Sequence, residues 1–238
     1  MRIRLPLGRS LFFLCAFLFC LVALLPLRLA LGWLGLDARG FAAREAIGSL
    51  WLGGVREAEF GPVPVGDVDA RLATWPLLIG RARIDVARPG EEDRLKGALT
   101  VTRHGFGLDD AEASLDTEAA FAPLPLQGID LSGVTAHFAG GLCTAASGLV
   151  KARLAGTIGG IALPTAFSGD ARCEAGALLL PLASQSGQER LSISLFDDGR
   201  YKVELGLPAG DETTRQRLVA AGFAPAGSGY ALRVDGRF

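Results

Sequence analysis

The stretch Leu191–Leu207, LSISLFDDGRYKVELGL, decides the class of fold. Leu191, Ile193 and Leu195 alternate with Ser192 and Ser194, and Tyr201, Val203, Leu205 and Leu207 alternate with Lys202, Glu204 and Gly206. A period of two gives each run one apolar and one polar face, which is the pattern of a half-buried strand. Between them, Asp197-Asp198-Gly199-Arg200 contains Asp-Gly, a pair that tolerates the positive φ of a tight hairpin. The stretch therefore predicts two antiparallel strands, Leu191–Phe196 and Tyr201–Leu207.

The same texture extends outward in both directions. Upstream, short apolar runs are broken by Gly, Pro and Asp, predicting strands in Val55–Phe60, Val65–Ala73, Ala82–Ala87, Leu95–Thr102, Phe106–Leu115, Ile129–Phe138, Leu149–Leu154, Ile158–Ala162 and Ala177–Leu182. Arg88–Asp93 reads as a charged turn, and Ala122–Gly128, APLPLQG, as a Pro-rich connector. Downstream, Asp211 is a good N-cap for a helix Glu212–Ala221 that Gly222 stops, and Tyr230–Val234 is a last strand. The expected fold class is mainly β: a curved antiparallel β-sheet domain, either one strongly twisted sheet or two similar halves in series divided near 122–128. An echo between Gly53–Leu78 and Ile158–Leu182 leaves an internal duplication open.

Residues 1–36 differ from the rest. Arg2, Arg4 and Arg9 precede the apolar run Ser10–Leu27, which as a helix would be roughly 27 Å long. After Arg28 the run resumes to Leu36, with Trp33 suited to a membrane interface. The expectation is a cytoplasmic basic stub and one transmembrane helix (1–36), then a periplasmic β-rich domain (37–238), with Asp37–Ala46 extending the helix or forming a brief second one. That topology places the protein in the cell inner membrane. The alternative is a cleaved signal peptide, but its one small-x-small site, Ala30-Leu31-Gly32, would leave Arg28 in the c-region. Cys20 follows Phe19, where a lipid-modification signal wants a small residue. Outside the apolar run only Cys143 and Cys173 remain, and two cysteines in an oxidising compartment are expected to pair; two buried free thiols are the alternative.

Composition and motifs exclude several functions. Half of the 238 residues are hydrophobic and 21% charged, which excludes a disordered chain. The net charge of −1, without a basic patch, argues against nucleic acid. The histidines are His104 and His137, and neither His-Glu-x-x-His nor Cys-x-x-Cys occurs, so a zinc site has no scaffold. There is no Gly-x-Ser-x-Gly elbow and no Walker loop; Gly156–Gly160 is Gly-rich but lacks the lysine and reads as a turn. Glu91-Glu92-Asp93 and Asp109-Asp110 read as solvated turns. No enzyme activity, cofactor, metal or small-molecule substrate is expected.

Several local patterns occur in order: Gly48-Ser49-Leu50-Trp51-Leu52-Gly53, Trp75-Pro76-Leu77-Leu78-Ile79-Gly80, Cys143–Gly148, Cys173 with Leu178–Gly187, Asp198-Gly199-Arg200-Tyr201, Gly222-Phe223 and Tyr230-Ala231-Leu232. Together with the apolar N-terminus they resemble the type II secretion system protein N family, also called general secretion pathway protein N. The resemblance implies an accessory inner-membrane component of the machine that exports folded proteins across the outer membrane. Its partners would be other secretion subunits, and no active site is carried over. It reads Trp51 and Trp75 as large buried anchors beside Gly53 and Gly80, with the cysteine pair as a staple; tryptophans on an exposed contact face are the alternative. Two functions follow. One is a periplasmic scaffold that docks subunits through sheet edges or loops. The other is a membrane-anchored lipid-handling module, similar to lipopolysaccharide-transport and AsmA-like proteins. A filled interior favours the first and an open apolar groove the second.

Overall fold

The computed structural model describes residues 7–34, 41–77, 79–88, 95–158 and 160–238; of 7–10, 30, 33 and 34 it describes the backbone alone. Helices α1 (Leu7–Ala23) and α2 (Leu27–Leu34) come first. Strands β1 (Phe41–Gly48), β2 (Gly53–Phe60) and β3 (Val63–Ala73) follow, then a single turn of helix, α3 (Thr74–Leu77). Next are β4 (Ala82–Ala87), β5 (Lys96–Thr102), β6 (Gly105–Asp116), β7 (Leu126–Ala139) and β8 (Leu142–Leu154). A small hairpin, β9 (Thr157–Ile158) and β10 (Ile161–Ala162), precedes β11 (Ala166–Asp170), β12 (Arg172–Glu174), β13 (Ala177–Ser184), β14 (Arg190–Leu195) and β15 (Arg200–Pro208). Helix α4 (Glu212–Ala220), β16 (Ala224–Ala226) and β17 (Gly229–Arg237) close the chain.

Fifteen strands form one antiparallel sheet in the order β1 through β8, β11, β13, β14, β15, β17, β16, with β12 alongside β13. This is the single curved sheet of the expectation. The connector 122–128 joins β6 and β7, which are hydrogen-bonded neighbours, so strand pairing runs straight through it. The hairpin at Asp198-Gly199 sets the register of its neighbours. Leu195 faces Tyr201, Ile193 faces Val203, and Leu191 faces Leu205. Leu180 and Leu182 of β13 continue the rows on one side, and Leu232 and Val234 of β17 on the other. One face of this part is therefore apolar throughout, because a period of two fixes every side chain once one pair is fixed.

That face is covered, and its core is full. Phe167, Leu182, Leu191, Ile193, Val203 and Leu205 are 0–2% exposed. Leu218 of α4, Phe223, Leu163 and the loop residues Ala120, Phe121 and Leu124 are buried against them. Burying each such side chain contributes roughly 1.5–3 kcal/mol. The sheet curls far enough for its distant strands to meet: Phe60, at the end of β2, lies 6.1 Å from Phe238, which follows β17. Phe121 packs edge-on to Tyr201 at 5.2 Å, and the Tyr201 hydroxyl donates to the Ala120 carbonyl at 3.1 Å.

Three expectations are corrected. Residues 41–46 form strand β1 and not a helix, because pairing with β2 overrides their local preference. The expected transmembrane helix through Leu27 ends at Ala23: Pro26 has no N–H to continue the ladder, and its ring clashes with the carbonyl four residues earlier. No helix among the described residues is long and apolar enough to cross a membrane. Asp109 and Asp110 form no turn; they sit inside β6 at a bulge where Asp110 has φ 49°. The turn expected at Arg88–Asp93 lies, from Pro89 onward, outside the described residues, and so do Gly159 and the side chain of Trp33.

Candidate functional site

In an antiparallel meander, alternate connections fall at the same end of the sheet. The pairs Gly48–Gly53, Ala73–Arg83, Thr102–Gly105 and Ala139–Leu142 place the β1–β2, β3–β4, β5–β6 and β7–β8 connections at one end. The helices join the sheet at this end. Leu50 N–H donates to the Leu25 carbonyl at 2.9 Å, and Pro26 bridges to Ser49. The indole N–H of Trp51 donates to the Val22 carbonyl at 3.0 Å. In an unbroken helix that carbonyl would accept from residue 26, which is the proline. The indole, with the Leu25 N–H at 3.3 Å, fills the vacancy.

Gly53 is required by close approach. A Cβ there would stand 2.7 Å from both Leu27 Cδ2 and the Ser49 carbonyl oxygen. Leu27 is buried by this contact and ties the start of α2 to the loop. Trp51 is half-buried, and its indole bond joins the β1–β2 connection to the end of α1.

Trp75 is placed differently. It is 79% exposed, so the expectation of a buried anchor is corrected: α3 lies in the β3–β4 connection and none of its four residues is buried. Ile79 is 70% exposed beside it, and Gly80 turns the chain with φ 75°. A groove of about 560 Å³ lies nearby, lined by Ile47, Leu52, Gly53 and Gly54 but also by Asp69, Arg71 and Asp85. It is mixed in polarity and not an enclosed apolar slot.

Cys143, in β8, and Cys173, in β12, are disulfide-bonded, with S–S 2.02 Å and Cα atoms 5.5 Å apart. Cys15 and Cys20 are free thiols on α1. At the far end of the chain, Gly222 N–H donates to Val219 O and Phe223 N–H to Leu218 O, both at 3.0 Å. This is a Schellman closure, with Gly222 at φ 91° and Phe223 buried against the core.

Two polar clusters escaped sequence reasoning. Asp109 accepts from Thr100 Oγ1 at 2.7 Å, contacts His137 Nε2 at 2.8 Å and faces Arg83 Nη1 at 3.5 Å, tying β4, β5, β6 and β7 together. Glu189 accepts from the hydroxyls of Ser184 at 2.5 Å and Ser186 at 2.6 Å, and these bonds hold its carboxyl below the ordinary value. No group of three His, Cys, Asp or Glu side chains that could hold a metal ion occurs among the described residues. The junction partners Val22 and Leu25 were also missed. The available signal was Pro26 interrupting the apolar run.

Residues 39–233 match the family model of the type II secretion system (T2SS), protein N. The chain matches no curated protein and no solved structure. The match covers nearly the whole sheet, from before β1 into β17, and the chain belongs to the type II secretion system protein N family, an accessory, envelope-associated component that works with the other components of type II secretion.

Proposed function

We propose that this chain is a periplasmic scaffold subunit of the type II secretion system, attached to the inner membrane by its N-terminal helices, with its N-terminus in the cytoplasm, and that it performs no chemistry. The observation that carries the scaffold reading over lipid handling is the filled interior. Phe167, Leu191, Ile193 and Leu205 leave no room for an acyl chain against that face.

Its route of contact is the edge strand. Among the described residues no strand pairs with the outer side of β1, so that side offers backbone groups to a partner strand. The other end of the sheet is closed by the short, Pro225-containing β16. Attachment is supported by the exposed Leu11, Phe12, Phe13, Phe17 and Phe19 of α1, which water would not tolerate as one surface.

The test is photo-crosslinking from Ala43 or Glu45 in the intact membrane of the secreting cell, read by mass spectrometry. Capture of secretion subunits from β1, and not from an amino acid placed at Lys202 inside the sheet, is expected. The reading fails if β1 captures none of them, or if one conservative polar substitution abolishes secretion while fold and abundance stay unchanged.

A further inference from the structure

We infer that the end of the sheet carrying the β1–β2, β3–β4 and β5–β6 connections is a bilayer-contacting surface, seated on anionic phospholipid beside the point where α1 enters the membrane. The inference rests on the proposed membrane attachment and goes beyond it, since a helix alone could tether a domain that never touches lipid.

Position comes first. The contacts of Trp51 with Val22 and of Leu50 with Leu25 hold the β1–β2 connection against the end of α1. Wherever α1 meets the bilayer, that connection lies at its boundary. Neighbouring strands are ~4.8 Å apart, so the next two connections at this end follow within roughly 25 Å.

Composition agrees with position. These connections expose Leu52, Trp75 and Ile79 at 61%, 79% and 70%. Val101 and Phe106, directly opposite each other beside the β5–β6 turn, are also exposed. Such residues in water are costly, but tryptophan and aliphatic side chains are favoured at the headgroup boundary. The charges among them are basic: Arg81 and Arg103 are exposed, and segments 48–53, 74–81 and 102–105 contain no Asp or Glu. Basic side chains beside apolar ones suit an anionic leaflet.

The pattern is confined to this corner. At the opposite end of the sheet Glu59, Asp116 and Glu118 gather around one groove, and along the end that α1 joins the next connection, β7–β8, already meets an acidic neighbour: a Cβ on Gly141 would stand 3.5 Å from the Asp197 carboxylate of the β14–β15 turn. A protein partner would not require the apolar and basic residues to cluster around the root of α1, whereas a bilayer does.

The experiment uses the full chain reconstituted in phosphatidylethanolamine–phosphatidylglycerol vesicles. Flotation reports attachment. The fluorescence difference between the wild type and Trp75→Phe isolates Trp75, and lipids brominated near the glycerol end of the acyl chain report its contact with the bilayer. Trp75 is expected to lose most of its emission to the brominated lipid and to resist aqueous acrylamide. Arg81→Glu with Arg103→Glu should weaken that quenching in anionic vesicles and not in purely zwitterionic ones. A chain that floats while Trp75 is quenched by acrylamide and not by lipid overturns this inference alone. So does shielding of Trp75 that appears only when secretion subunits are added. A chain that does not float overturns the attachment and this inference together.

Discussion

The indole N–H of Trp51 sits 3.0 Å from the carbonyl of Val22, twenty-nine residues earlier, and takes the place of the N–H that Pro26 lacks. One side chain thus completes a broken helix end and fixes where the first hairpin lies relative to it. The helix break and the sheet become one unit, although no regular element spans them.

Trp51→Phe keeps the ring and removes the donor. Leaving one half-exposed carbonyl without its good partner should cost about 1 kcal/mol. Amide exchange at Leu50 and Leu52 should then rise roughly five-fold, from the usual 1.4 kcal/mol per factor of ten. Trp51→Ala, which also removes the packing, should loosen the junction further. Hydrogen exchange in micelles separates the two, and equal protection in all three proteins would deny the bond any role.

Trp75→Ala tests the exposure of that side chain. A side chain 79% exposed contributes little to the fold, so its removal should change unfolding stability by less than about 0.5 kcal/mol. Phe167→Ala, at 1% exposure, should cost about 3–5 kcal/mol by opening a cavity in the core at β11. Denaturant titration of both variants decides it; similar losses would mean that Trp75 is buried after all.

How much was legible depends on the local signal at each element. The hairpin Leu191–Leu207 was readable because strict alternation and Asp-Gly both point to it. Residues 41–46, FAAREA, read as helix because Ala, Arg and Glu favour it, and only pairing with β2 makes them a strand. The first half of β8, LCTAASG, was missed because small residues give no alternation. At the junction, Trp51 was found but its partner was not. A backbone carbonyl twenty-nine residues away leaves no mark in a side-chain pattern. The Asp109–His137 contact was hidden for a similar reason, since a bulge in β6 sets which residues face β7.

The Cys143–Cys173 bond closes a loop of thirty residues between β8 and β12. In the chain-entropy picture, removing it frees the unfolded chain by roughly 3–4 kcal/mol. Cys143→Ser with Cys173→Ser should therefore melt at a clearly lower temperature than the oxidised protein, and reductant should lower the wild type towards the variant while leaving the variant unchanged. A wild type indifferent to reductant, with free thiols at both positions, would contradict the bond.

Asp211 caps α4, accepting from the Thr214 N–H at 2.7 Å, and the bonds from Thr214 hold its carboxyl below the ordinary value of 3.8. A carboxylate depressed in the folded state contributes stability that is present above the unfolded-state value and is lost as pH falls through the folded one. Acidification below about pH 4 should therefore loosen α4 and the Schellman closure that seats Phe223 on the core. Asn caps a helix as well as Asp but takes up no proton in this range. Asp211→Asn should match the wild type in melting temperature at neutral pH and fall less steeply on acidification. Glu189 and Asp198, whose carboxyls are also depressed, are common to both proteins, so the difference between the two acid limbs belongs to Asp211. Parallel acid limbs would show that the cap survives protonation and that acid sensitivity arises elsewhere in the sheet.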